Sequence, residues 1–173
     1  MNTNENAPRF TKVSLRTAAI IAGMGLLLMA ILSPIALLNT FPSLVKFDDA
    51  ALTAQDIFTS MGAFRTAALL LFVVALLDVV VAWGLYIVLM PANKNLSALA
   101  AWLRVIYAGI FIFAISKLFV AMQVLTADGV QAMSFLKAFQ NIFDKGLILF
   151  GFHLLVLGYL AFKSGYVPKW LGT

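Results

Sequence analysis

The segment from Phe64 to Pro91, FRTAALLLFVVALLDVVVAWGLYIVLMP, decides what kind of protein this is. Between Arg65 and Pro91 its sole Asp, Glu, Lys, Arg or His is Asp78. About 20 consecutive apolar residues suffice to carry a helix across a bilayer core, so this stretch is of spanning length. Pro91 closes it, because proline cannot extend a helix without losing a backbone hydrogen bond.

Working outward, three further apolar runs have the same character, at about 18–38, 99–125 and 142–162. The run at 18–38 is too long for the core of a secretion signal, which is usually about 7–15 residues. Asp128-Gly129 reads as a turn, and Lys163-Ser164-Gly165 with Pro168 ends the last run. With 63% hydrophobic and 11% charged residues and a mean hydropathy of +1.01, the chain lies outside the range of soluble domains. Its 173 residues leave no room for a separate soluble domain. The expected fold is therefore all-α: a polytopic transmembrane helical bundle, 18–173, with four spans at 18–38, 64–90, 99–125 and 142–162, behind a polar cytoplasmic tail at 1–17.

Basic residues orient the bundle. When four spans alternate, Arg9, Lys12, Arg16, Lys94, Arg104, Lys163 and Lys169 fall on one side, and Lys46, Arg65, Lys137 and Lys145 on the other. Seven against four is expected to place both termini in the cytoplasm. Trp83, Trp102, Trp170 and Tyr86, Tyr107, Tyr159, Tyr166 gather toward the cytoplasmic ends, as an interfacial belt requires. Each external connection carries a short amphipathic pattern, Ala54, Ile57, Phe58 and Met61 in the first and Met133, Leu136 and Phe143 in the second. Both are expected to form short interfacial helices; extension of the spanning helices is the alternative. The pI near 9.7 is an orientation and lipid signal, with no nucleic acid implied.

Asp78, Lys117 and His153 each lie inside a different apolar run. An Asp or Lys at the centre of a spanning helix costs about 2.5–3.5 kcal/mol, so these groups should pair or face an interior cavity. As a candidate polar or ion site they could relay a proton or bind an ion. As a purely structural set, Asp78 would pair with Lys117 while His153 donates to a backbone carbonyl, fixing helix register; the remaining alternative is that Lys117 snorkels to the outer interface. Arg65 and Arg104, the latter with Tyr107 beside it, lie toward the ends of spans and are candidate lipid or anion contacts. Catalysis finds no constellation. A lone His excludes a multi-histidine metal site, and no Ser sits in a nucleophile-elbow context. A haem on His153 and a methionine is compatible with the residue types, but nothing in the spacing selects it, and no metal or cofactor is expected. Small-residue pairs such as Ala19 and Gly23 favour close helix contact and leave a homo-oligomer or another membrane protein open as partner, besides membrane lipids.

Phe64-Arg65, the stretch Leu76-Leu77-Asp78 through Tyr86 to Pro91, Leu103 through Ala108, and Gly151 through Tyr159 with Ser164-Gly165 and Pro168 together resemble the bacterial membrane family called domain of unknown function 4386. The resemblance implies a multi-helix inner-membrane protein of unassigned activity, with characteristic polar residues at Arg65, Asp78, Arg104, Tyr107 and His153. Members usually continue past the segment matching Pro168 to Gly172 into at least one more apolar helix, whereas this chain stops at Thr173. A short member or a truncated gene would leave part of the bundle face open to lipid or to a partner. The expected function is structural or accessory, with a buried polar cluster that sets helix packing. The alternative is a small proton- or ion-coupled transporter or ligand-binding protein built on Asp78 and His153. Neither reading is enzymatic.

Overall fold

A computed structural model describes residues 13–165, and its helices begin where a short polar side chain can accept a backbone hydrogen bond. The first N–H groups of a helix have no partner within it, and Ser, Asp or Asn at the cap supplies one. Ser14 accepts from Thr17 N, Asp49 from Leu52 N, Asn93 from Leu96 N and Asp128 from Gln131 N, at 2.9–3.1 Å. These caps open α1 (Leu15–Leu44), α2 (Ala50–Thr59), α4 (Lys94–Val124) and α5 (Gly129–Ser164). Helix α3 (Met61–Leu89) follows α2 through Ser60, which makes no side-chain cap. Gly165, with φ of 72°, ends α5 in the left-handed conformation that glycine adopts without strain. Helix α1 contains Pro34 and widens into a π-type turn over Ile35–Thr40.

Helices α1, α3, α4 and α5 are each long and apolar enough to cross a membrane. The expected four-span, all-helical bundle is therefore the fold, with longer spans than the sequence suggested. One expectation fails. The second connection holds no separate interfacial helix, because capping by Asp128 starts α5 well before 142 and runs it unbroken to Ser164. The first connection does form its own helix, α2.

The four spans pack as an antiparallel row, α1 on α3, α3 on α4 and α4 on α5. Close approach of α1 and α3 depends on small residues. A methyl added at Gly84 would lie 2.9 Å from Ala22 Cβ and 3.0 Å from the Ala18 carbonyl, and one at Gly25 would lie 2.5 Å from Val81 Cγ2. The contact stripe is thus Ala18, Ala22 and Gly25; Gly23, expected to favour such packing, faces open space.

Two apolar cores result. Toward the end carrying α2 and the 125–128 connection, here the loop end, a large core joins all four spans and α2 through Phe41, Phe64, Phe111, Leu136 and Phe139. Ile57, Met133 and Leu136, three of the amphipathic residues of the connections, are buried in it and cap the bundle. Toward the end carrying the start of α1 and the 90–93 turn, here the terminal end, a small core holds Leu89, Ala100 and Leu160.

Candidate functional site

Between the two cores lies a buried polar network that uses every span. Asn93 starts α4 early enough to carry Arg104 ten residues inward, about 15 Å along the axis. The antiparallel packing brings Asp78 of α3 and His153 of α5 to the same depth. Arg104 Nη2 lies 2.8 Å from Asp78 Oδ1, and both side chains are 2% exposed. Arg104 Nη1 lies 3.2 Å from His153 Nε2, and His153 Nδ1 lies 2.8 Å from the Ala100 carbonyl oxygen. Helix α1 adds Met29, whose Sδ accepts from Arg104 Nη2 at 3.8 Å. The guanidinium also lies over the Phe150 ring, 5.4 Å from its centroid.

Donor and acceptor chemistry fixes the state of the imidazole. A carbonyl only accepts, so Nδ1 carries the hydrogen that bonds Ala100. A guanidinium only donates, so Nε2 must be the acceptor. His153 is therefore the neutral Nδ1–H tautomer, gripping two successive turns of α4. With Asp78 and Arg104 both charged, the network is neutral overall, which is how a nonpolar interior accommodates ions. Among the described residues its hydrogen bonding is incomplete: Arg104 Nε has no partner, and Asp78 Oδ1 is close to Nη2 without a well-aligned hydrogen bond.

The loop-end side of the network is closed by aromatic rings in sequential contact. Phe150 meets Tyr107 at 4.8 Å, Tyr107 meets Phe111 at 5.9 Å, and Phe111 meets Phe143 at 5.2 Å. Phe143, Phe139, Phe41 and Phe64 continue the series at centroid separations of 5.2–5.9 Å.

The structure thus brings Asp78 and His153 together as the sequence suggested, but through a different cation. Lys117 does not pair with Asp78. It is half-buried, with its ammonium 4.4 Å from the Phe113 ring centroid, and lies thirteen residues beyond Arg104, about 20 Å along α4. Arg104 and Tyr107, expected as lipid or anion contacts, are instead buried inside the bundle. Arg65 alone of that group is exposed. The sequence reading missed Met29 and Phe150, and it placed Arg104 too near a helix end because it started the span at 99. Asn93, two residues after Pro91, was the available signal that the helix begins at 94.

Comparison with known proteins agrees with this picture and adds no activity. A 103-residue stretch, 60% of this chain, is 43% identical to an uncharacterized protein of Archaeoglobus fulgidus. That stretch is 54% of the relative, so the match spans about half the relative's length. No solved structure matches the chain. The model of the family described as "Domain of unknown function (DUF4386)" matches residues 21–173, a range that takes in α2 to α5, all of α1 after its first six residues, and each member of the buried network. By the extent of that match, this multi-pass helical membrane protein belongs to the DUF4386 family.

Proposed function

We propose that this protein is a structural or accessory component of the cell inner (plasma) membrane, and that Asp78, Arg104 and His153 act as an internal latch holding its spans in register. The observation that carries this reading is that one guanidinium is held by groups from all the other spans, Met29, Asp78 and His153, between two apolar cores. A latch needs no turnover. It works because sliding one helix past another would leave buried ions unpaired, at a cost of several kcal/mol each. In this reading the protein is not an enzyme and needs no cofactor. It acts through lipids and through a second copy or another membrane protein. Both termini are cytoplasmic, following the excess of basic residues at the terminal end.

The test replaces the pair as a unit. Asp78→Leu with Arg104→Met removes both charges while keeping side-chain bulk, and the reading expects a folded, membrane-inserted protein that still complements a deletion strain. A folded double variant that fails to complement would overturn it.

A second reading, a proton- or ion-coupled transporter or ligand-binding protein, is supported by one observation. A proton added to His153 Nε2 would set a donor against the Arg104 donor and break that contact, while Arg104 Nε and Asp78 Oδ1 retain unused capacity. Under this reading Asp78→Asn abolishes activity without impairing insertion. Persistence of pH-dependent activity in that variant would rule it out.

A further inference from the structure

Away from the latch, the lipid-exposed side of α3 and α4 is not smooth. Toward the terminal end it carries a groove of about 340 Å³, floored by Ala82, Ala98 and Ala101 and walled by Trp83 and Trp102. The two indoles stand out on either side at 43% and 65% exposure, so the recess comes from alanines placed between large rings. Its lining is almost wholly apolar. At this depth it opens sideways into hydrocarbon, and a chain of methylenes is the chemistry that would fill it.

The mouth of the groove specifies what is attached to that chain. Lys94 is exposed and lies one turn before Ala98 and two before Ala101 and Trp102, on the same stripe of α4. It is ten residues before Arg104, about 15 Å toward the terminal end, which is headgroup depth for a bilayer core about 30 Å thick. Charge at this end favours an anion. Among the described residues it carries Arg16, Lys94 and Lys163, while the described carboxylates apart from the paired Asp78, namely Asp48, Asp49, Asp56, Asp128 and Asp144, lie toward the loop end. The mouth is held rigidly, because Ser97 Oγ donates to the Tyr86 carbonyl at 2.8 Å and pins α4 to α3 beside it.

We propose that this groove is a binding site for an anionic phospholipid, one acyl chain lying over Ala98 and Ala101 between the two tryptophans and the phosphate meeting Lys94. The tryptophans are also the reporters. In a Trp170→Phe background, the protein is placed in phosphatidylcholine nanodiscs containing a small fraction of either brominated phosphatidylglycerol or brominated phosphatidylcholine, and quenching of indole fluorescence is measured. A single lysine at the surface supports a preference for the anionic lipid of about fivefold. Lys94→Gln, an exposed change that leaves the packing intact, is expected to make the two lipids equivalent. Ala101→Leu, which fills the groove and keeps the charge, is expected to remove the excess quenching as well. Equal quenching by the two lipids in the parent protein overturns the proposal. So does an excess that survives Ala101→Leu, which would reduce the effect to attraction by surface charge without a site.

Discussion

The two halves of the bundle are built differently, although both are drawn from the same apolar composition. Toward the loop end, rings from α1, α3, α4 and α5 touch in an unbroken series from Phe64 to Phe150, and α2 closes the top. Toward the terminal end, Leu89, Ala100 and Leu160 are, among the described residues, the buried members of a thin core lined by partly buried side chains such as Leu96 and Leu157, and α1 meets α3 through alanine and glycine. The difference teaches where rigidity comes from in a solvent that is itself apolar. Lipid tails match leucine, so burial alone drives little helix association, and packing contact and polar pairing must supply it. One half uses interlocking rings, the other close backbone approach, and the ionic network lies at the seam between them.

The strongest way to break this arrangement is at the seam. Arg104→Met leaves Asp78 as an unpaired buried charge and frees His153 Nε2, which should cost about 3–5 kcal/mol. Thermal unfolding in detergent should show that loss, and adding Asp78→Leu should restore most of it. In the aromatic half, Phe139→Ala empties a fully buried site in contact with Phe41 and Phe143, with an expected cost of about 3–5 kcal/mol. Leu160→Ala in the thin core is the comparison; Leu160 is also fully buried, but the partly buried side chains around it can relax into the hole, so its cost should fall near the low end of the range of about 2–5 kcal/mol for such truncations. Equal losses at the two sites would show that the cores are not mechanically distinct.

The close-packed seam of α1 and α3 is sharper still in its steric demand. Gly84→Ala should cost about 1–3 kcal/mol, since the new methyl meets helix α1 backbone that cannot move aside cheaply. Gly158→Ala in α5 is the control, as no described atom lies within 4 Å of the position, and it should cause no loss, helix propensity favouring the alanine by up to about 1 kcal/mol. A measurable loss at Gly158 would reveal a contact that the isolated chain does not make, and crosslinking would then identify the partner.

Much of the fold was legible because spanning length and composition are strong signals. The runs at 18–38, 64–90, 99–125 and 142–162 each became a spanning helix, and Asp78 and His153 were recognisable as interior groups because hydrocarbon penalises them. The site was legible only in part. Arg104 was read as a lipid or anion contact near a helix end because its helix was started at Leu99, and moving the start back to Lys94 by one Asn cap moves the guanidinium from the interface to the interior. The fourth span was shortened for the same reason, since Asp128 reads equally as a turn residue and as a cap. Lys117 and Arg104 lie in the same run, and nothing in the run itself says which of them faces Asp78.

By itself the sequence determined that this chain is a membrane-embedded helical bundle, how many times it crosses, and that Asp78 and His153 need interior partners. Only the tertiary structure decided that the partner is Arg104, that Met29 and Phe150 complete its surroundings, and that Ala18, Ala22 and Gly25 rather than Gly23 face α3. The physical reason is that these helices are apolar on nearly every face. In water an amphipathic stripe announces which side turns inward. In a bilayer the outward side is as apolar as the inward one, so rotation and register are set by packing and by the few polar groups that must meet.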